Sequence, residues 1–122
     1  MIDFRKIEDA LGVKLPPHYV TFMQKFKGFA IEEAGLIDNF IYRDTDHLVK
    51  ANRAAGFYST EKPLKKKLIV GDNGGGDFYL IDLQNTADER VHYFDHEEFD
   101  EKGEMDVYPN LKSFKEEVEG MF

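Results

Sequence analysis

The sequence of 122 residues contains no cysteine and no tryptophan. Without cysteine, the chain has no disulfides, no thiolate catalysis and no zinc site built on cysteine ligands. No stretch approaches the roughly 20 consecutive apolar residues that a membrane span needs, and the charged N-terminal stretch has no apolar signal core. We therefore expect a cytoplasmic protein without a membrane partner.

Basic residues are scarce, since 16 lysines and arginines face 24 acidic residues for a net charge of −8. Phosphate binding needs a basic face, so this balance argues against nucleic acid as a partner. Most of the negative charge lies between Asp95 and Glu119, where ten acidic residues face three lysines. That segment is either a solvated surface that promotes solubility or a docking surface for a basic protein.

The most informative stretch that is present is Leu68–Leu83, which reads LIVGDNGGGDFYLIDL. Two β-rich runs flank the turn Gly71–Asp77, whose glycines favour φ > 0, and this pattern predicts a β-hairpin. The second run is apolar on both of its faces, as is typical of a strand that is covered on both sides. We therefore place the hairpin at the middle of a sheet.

Helical periodicity near the start of the chain predicts two helices. Gly12 is placed to end the first helix. Pro17 suits the first turn of the second, and Gly28 is placed to end it. The apolar faces of these two helices consist of Phe4, Ile7, Leu11, Tyr19, Phe22, Met23 and Phe26.

The middle of the chain is less regular. Residues 36–37 and 40–42 look like short strands around a turn at Asp38-Asn39. Asp44 or Thr45 is then expected to cap a third helix that ends at Gly56.

After the hairpin, Arg90–Phe94 is predicted to form the next strand, and residues 95–106 a loop. Asn110 or Ser113 opens the last helix, with Ser113 and Glu116 at the spacing of a capping box. Its buried side is expected to contain Leu111, Phe114, Val118 and Met121. The order of elements predicts one α+β domain over residues 1–122: a twisted, mainly antiparallel sheet packed by N-terminal, middle and C-terminal helices.

Three features suggest chemistry, and each has a better structural explanation. The glycine-rich turn lacks the Lys-Ser/Thr of a phosphate loop, and a strand follows it rather than a helix. Asp72, Asn73 and Asp77 miss the spacing of a calcium loop. His92 falls on a strand and His96 beyond its end, so the two are not expected to converge on a metal. The sequence therefore predicts no catalytic residue, no metal site and no cofactor.

Several short motifs follow one another in a specific order. They are Ile7…Leu11-Gly12, Leu15-Pro16-Pro17-x-Tyr19-x-x-Phe22, Gly28, Gly71-Asp72-Asn73-Gly74-Gly75-Gly76-Asp77-Phe78-Tyr79, Val91-x-Tyr93-Phe94-Asp95-His96-Glu97 and Ser113-Phe114. Together these motifs resemble the SUKH superfamily, and the resemblance covers nearly the whole chain. One departure is Phe94, where many members have tryptophan before Asp-His-Glu.

The resemblance implies a protein-binding role without catalysis. The superfamily includes fungal cell-wall assembly regulators and bacterial immunity proteins, which bind and block a toxin that is often a nuclease. The short chain is closer to the immunity class, so we expect an immunity protein for a basic toxin. The alternative is a general interaction module in a regulatory assembly that has no toxin partner.

The expected interface combines the acidic segment after Phe94 with the ends of the glycine-rich turn. Exposed carboxylates accelerate the encounter with a basic protein, whereas buried aromatic anchors supply affinity. The expected contacts are Asp72, Asp77, Asp95, Glu97, Glu98, Asp100 and Glu101, with Tyr79, Tyr93 and Phe99 as the aromatic candidates.

Overall fold

A computed structural model describes residues 2–29, 37–56, 58, 66–74, 76–94 and 106–121. Their elements are helices α1 (Phe4–Leu11), α2 (Pro17–Lys25), α3 (Thr45–Ala55) and α4 (Leu111–Gly120), the 3-10 helix η1 (Asp38–Phe40), and strands β1 (Lys67–Asp72), β2 (Phe78–Asp82), β3 (Val91–Phe94) and β4 (Asp106–Tyr108). The strands form one antiparallel sheet in the order β1-β2-β3-β4. The predicted α+β class is confirmed.

The end of α1 and both ends of α3 lie at capping groups that the sequence indicated. Helix α1 ends at Gly12, which adopts the left-handed conformation with φ of 66°. The Asp44 carboxylate accepts hydrogen bonds from the backbone N–H groups of Asp46 and His47, at 2.9 and 3.2 Å, and so caps α3. Both predicted helices are confirmed. The sequence could indicate these caps because each is formed by residues that lie close together along the chain.

Three predicted details of the other helices are wrong. Helix α2 ends at Lys25 with Phe26 as its C-cap, before Gly28 is reached. Helix α4 is capped by Asn110, which confirms the first of its two predicted caps, and the Asn110 side chain accepts from the Ser113 N–H at 2.8 Å. Ser113 lies inside the helix, so the alternative cap at Ser113 and its capping box with Glu116 are wrong. Met121 lies past the helix and is 53% exposed, so it is not part of the buried side.

The predicted short strands around Asp38-Asn39 are also wrong within the described residues, which begin again at Ile37. This segment forms η1, and both Ile37 and Ile41 are buried. The two isoleucines flank this short turn on either side, and their side chains anchor it to the core. The Tyr42 N–H then donates to the Val70 carbonyl of β1 at 2.8 Å.

The hairpin is confirmed, but it does not lie wholly at the middle of the sheet. Strand β2 pairs with both β1 and β3, whereas β1 is the first strand in the order. Leu80 and Ile81 are consecutive and fully buried, so both faces of β2 are covered as predicted. The sequence did not predict strand β4, because three residues are too few to show alternation. Asp106, predicted to be the last residue of a loop, is the first residue of this strand. Residues 95–105 lie outside the described residues.

The outer edge of β1 is covered by a side chain of α3. Asn52 is fully buried, and its Nδ2 donates to the Ile69 carbonyl at 3.0 Å while its Oδ1 accepts from the Ile69 N–H at 2.8 Å. The sheet register shifts between Ile69 and Gly71. The Val70 carbonyl inside this bulge is the one that accepts from Tyr42. These three backbone groups of the edge are therefore satisfied without a further strand.

Candidate functional site

The turn between β1 and β2 carries three polar side chains, Asp72, Asn73 and Asp77, which we call the carboxylate rim. The last pair of residues in the β1–β2 ladder is Asp72 with Phe78, so the rim lies at the turn end of the hairpin. Asp72, Asn73 and Asp77 are all half-buried, and Gly74 at the tip of the turn is exposed. The rim is therefore a surface feature whose side chains also contact the fold.

Asp72 is held from two sides. The Tyr42 hydroxyl donates to its Oδ2 at 2.5 Å, and the Gly74 N–H donates to its Oδ1 at 2.9 Å. Burial raises the pKa of the Tyr42 phenol, and its hydrogen bond to Asp72 raises it further. Tyr42 therefore keeps its proton at neutral pH and acts as a hydrogen-bond donor to the rim.

Asp77 is held in a similar way from β3. The Tyr93 hydroxyl donates to Asp77 Oδ2 at 2.6 Å, and the Asn73 side-chain amide donates to the same oxygen at 3.1 Å. The Asn73 N–H also approaches the Asp77 carbonyl at 3.4 Å. Two tyrosines from different parts of the fold thus fix the two carboxylates of the rim.

Tyr79 supports the rim from inside the core. Its ring contacts Phe114 with a centroid distance of 4.6 Å and stacks on Phe40 at 5.5 Å. Its ring also lies 5.5 Å from that of Tyr93, and Tyr79 is only 4% exposed. Burial raises the pKa of Tyr79, and the neighbouring Tyr108 and Tyr93 raise it further. Tyr79 therefore positions Tyr93 and presents almost no surface to a partner.

The other expected contacts lie outside the described residues, and they stay predictions. They are Asp95, Glu97, Glu98, Phe99, Asp100 and Glu101. Of the ten expected contact residues, the structure therefore brings together Asp72, Asp77, Tyr79 and Tyr93.

A cleft of about 370 Å³ lies beside the rim, and sequence reasoning missed it. Tyr42 connects the two features, since its hydroxyl binds Asp72 while its ring stacks on His47 with centroids 4.5 Å apart. His47 is exposed, and this stacking holds its ring against the core. No periodicity signals this cleft, because its residues come from η1, the segment that follows, and the start of α3. They are Asp38, Asn39, Tyr42, Arg43, Asp44 and His47.

The described part of the chain contains no group of three or more His, Asp or Glu side chains that could hold a metal ion. His92 is buried on β3, and His96 lies outside the described residues, so the geometry of that pair stays untested. Across the same described ranges, no helix has both the length and the apolar character to cross a bilayer.

The structure is thus an α+β domain with a four-stranded antiparallel sheet and a glycine-rich β1–β2 hairpin that carries the carboxylate rim. The chain belongs to the SMI1 / KNR4 family (SUKH-1), whose family model matches residues 2–117. This match confirms the resemblance to the SUKH superfamily. Comparison with curated proteins gave no match, and comparison with solved structures gave none either.

Proposed function

We propose that the chain is a non-catalytic protein-binding domain, and specifically an immunity protein that neutralises one cognate toxin in the cytoplasm. The toxin would carry a basic surface, as many nucleases do, because a protein with a net charge of −8 attracts a positively charged partner. Membership of the SUKH-1 family supports this proposal through the role that the superfamily resemblance implies.

The observation that carries the proposal is the way the rim holds its charges. Asp72 and Asp77 each accept two hydrogen bonds from other residues, among them one tyrosine hydroxyl each. These hydrogen bonds fix the position of each carboxylate, so the rim presents its two acceptor groups in a defined geometry. Such an arrangement suits recognition of a protein surface.

A fixed rim also has an energetic advantage in binding. Side chains that are already ordered lose little conformational entropy when a partner docks, so more of the contact energy contributes to affinity. The half-buried Tyr93 lies next to this rim and offers an aromatic contact close to the two charges. The acidic residues after Phe94 would extend the negative surface, and they would act mainly on the association rate.

The test is to isolate the partner from the native cell and to measure association by stopped flow at low and high salt. We expect Glu97→Lys with Glu98→Lys to slow association about ten-fold at low salt and to weaken protection against the toxin. Glu116→Lys with Glu117→Lys is the matched control, since it reverses an adjacent pair of glutamates that are exposed on α4. Equal effects of the two double variants would reduce the acidic segment to a solvated face.

The same experiment separates the two candidate roles. A toxic partner whose activity is blocked in the complex would establish immunity. A non-toxic partner bound at the same surface would instead establish a general interaction module and overturn the immunity proposal.

A further inference from the structure

The cleft beside the carboxylate rim offers a second contact on the same surface. Tyr42 belongs to both, because its hydroxyl donates to Asp72 at 2.5 Å and the residue also lines the cleft. One tyrosine side chain therefore separates the two features. A protein that covers the rim would also reach the cleft.

We propose that this cleft receives one arginine side chain. The identity of the arginine's source rests on the proposed function, in which the partner is a basic protein, whereas the preference of the cleft for arginine follows from its own residues. Its volume of about 370 Å³ is at the lower end of the range for ligand pockets, which is roughly 300–1,000 Å³. The cleft can therefore admit a long side chain.

Two carboxylates supply the negative charge. Asp38 is exposed at the start of η1, and Asp44 is exposed just before α3. Asp44 caps α3 through Oδ1 alone, with both N–H donors directed to that oxygen. Because a carboxylate has about four acceptor positions on two oxygens, capping leaves capacity for a further donor.

The third component is a stacked pair of rings. His47 lies against Tyr42 with an interplanar angle of 29°, and Tyr42 is itself only 2% exposed. The core therefore holds the inner ring, and the inner ring holds the exposed imidazole. A guanidinium group is planar, stacks on such rings and forms paired hydrogen bonds to carboxylates, which an ammonium group cannot do in the same way.

Arg43 also lines the cleft and opposes a cationic ligand. Two carboxylates against one guanidinium still leave an excess of negative charge from these three residues. The opposing charge of Arg43 gives the proposal a distinctive test, because removing it should strengthen the binding of arginine.

The experiment is a titration of the ¹⁵N-labelled full chain with N-acetyl-arginine methylamide, followed by amide chemical shifts. The neutral isostere N-acetyl-citrulline methylamide, the corresponding lysine compound and the corresponding aspartate compound are the comparisons. We expect saturable shifts for amides of residues 38–47 with the arginine compound, and weaker binding of the other three. Absence of saturation, equal binding of citrulline or lysine, or preferred binding of aspartate would each overturn the proposal.

Two variants test the proposed electrostatics of the cleft, and they should change its affinity for arginine in opposite directions. Asp38→Asn with Asp44→Asn should weaken arginine binding about three- to ten-fold, the range for two exposed charge pairs. Asparagine is as good an N-cap as aspartate, so α3 should remain intact in this variant. Arg43→Gln should tighten arginine binding by about two-fold, and the same or weaker affinity in that variant would contradict the assigned electrostatics.

These measurements use no toxin, so they stand apart from the proposed function. If arginine binds in the cleft but no basic partner is found, the proposed function fails and the cleft assignment stands. If the partner is found but the arginine compound does not bind, the cleft assignment fails and the proposed function stands.

Discussion

Gly71 lies where β1 passes the carbonyl oxygen of Phe40 at the end of η1. A Cβ atom at this position would be 1.8 Å from that oxygen, far inside van der Waals contact. The sequence suggested that the glycines of this turn provide positive φ angles, which holds for Gly74 and Gly76. For Gly71 the reason is the close approach of another backbone.

The first prediction is therefore that Gly71→Ala destabilises the fold by about 3 kcal/mol or more, because backbone has to move to admit the methyl group. Gly120→Ala is the control, since no atom lies within 4 Å of the corresponding Cβ at the end of α4. The measurement is the free energy of unfolding in urea. Equal stability of the two variants would show that η1 can withdraw from β1 at little cost.

The second prediction concerns the hydrogen bond from Tyr42 to Asp72. Tyr42→Phe should cost about 1.5–3 kcal/mol, as expected for a hydrogen bond to a charged acceptor, and should loosen the turn that Asp72 organises. Hydrogen exchange of the Gly74 amide, which donates to Asp72, should become about ten-fold faster, a change of about 1.4 kcal/mol in local opening.

The Ala87 amide provides an internal control for that measurement. It donates to the side chain of Asn85 in a different turn, at 3.2 Å, and its exchange should stay as in the parent protein. Parallel acceleration at Gly74 and Ala87 would mean that the variant opens exposed turns in general rather than the turn that Asp72 organises, and the assigned role of Tyr42 at the rim would be wrong.

At the scale of elements, α3 and β1 are joined by the Asn52 amide. The third prediction is that Asn52→Ala costs about 3 kcal/mol, because the N–H and C=O groups of Ile69 would be left buried without these partners. Lys50→Ala, at an exposed position of the same helix, should change stability by no more than about 0.5 kcal/mol. A loss from Asn52→Ala no larger than that of the control would show that water replaces the amide.

Local signals predicted the elements whose ends depend on nearby residues. Gly12, Asp44 and Gly56 cap helices through their own backbone or side chains, so their positions could be read from the sequence. The hairpin was equally readable, because its two strands and its turn are adjacent along the chain.

The elements that depend on distant partners could not be predicted. The 3-10 helix η1 packs its backbone on Gly71, more than 30 residues away, and no local pattern encodes that approach. Strand β4 has three residues and takes its form from pairing with β3. Asn52 looks like a polar position on an exposed helix face, and only its contact with Ile69 explains its burial.

At the scale of the whole molecule, the half-buried His18 makes stability depend on pH. The Nε2 atom of His18 is buried on α2 and has no hydrogen-bond partner among the described residues. Burial lowers the pKa of His18, and the charges of Glu89 and Asp88 oppose that shift in part. The folded protein therefore favours the neutral imidazole more than the unfolded chain does.

The fourth prediction follows from the lowered pKa of His18 in the folded protein. Above about pH 6.5, the ordinary histidine pKa, His18 is neutral in both states and this source of instability is absent. As the pH falls below about 6.5 toward the lowered pKa of the folded state, the unfolded chain takes up the proton first and stability declines. His18→Gln should reduce the loss of melting temperature between pH 7.5 and pH 5.5.

The control is Gln24→Ala, which changes an exposed position of the same helix and should keep the pH dependence of the parent protein. An unchanged pH dependence in His18→Gln would contradict the assignment, since the decline would then originate in other groups.

The pair formed by Asn52 and Ile69 has one more consequence, which concerns strand register. Along a β-strand, successive residues direct their N–H and C=O groups to opposite edges. If β1 slipped by one residue so that Asn52 faced Leu68, the N–H and C=O groups of Leu68 would point to the opposite edge, toward β2. The amide that bonds to both polar groups of Ile69 therefore discriminates between alignments of β1, so a misaligned hairpin would lose two hydrogen bonds at once.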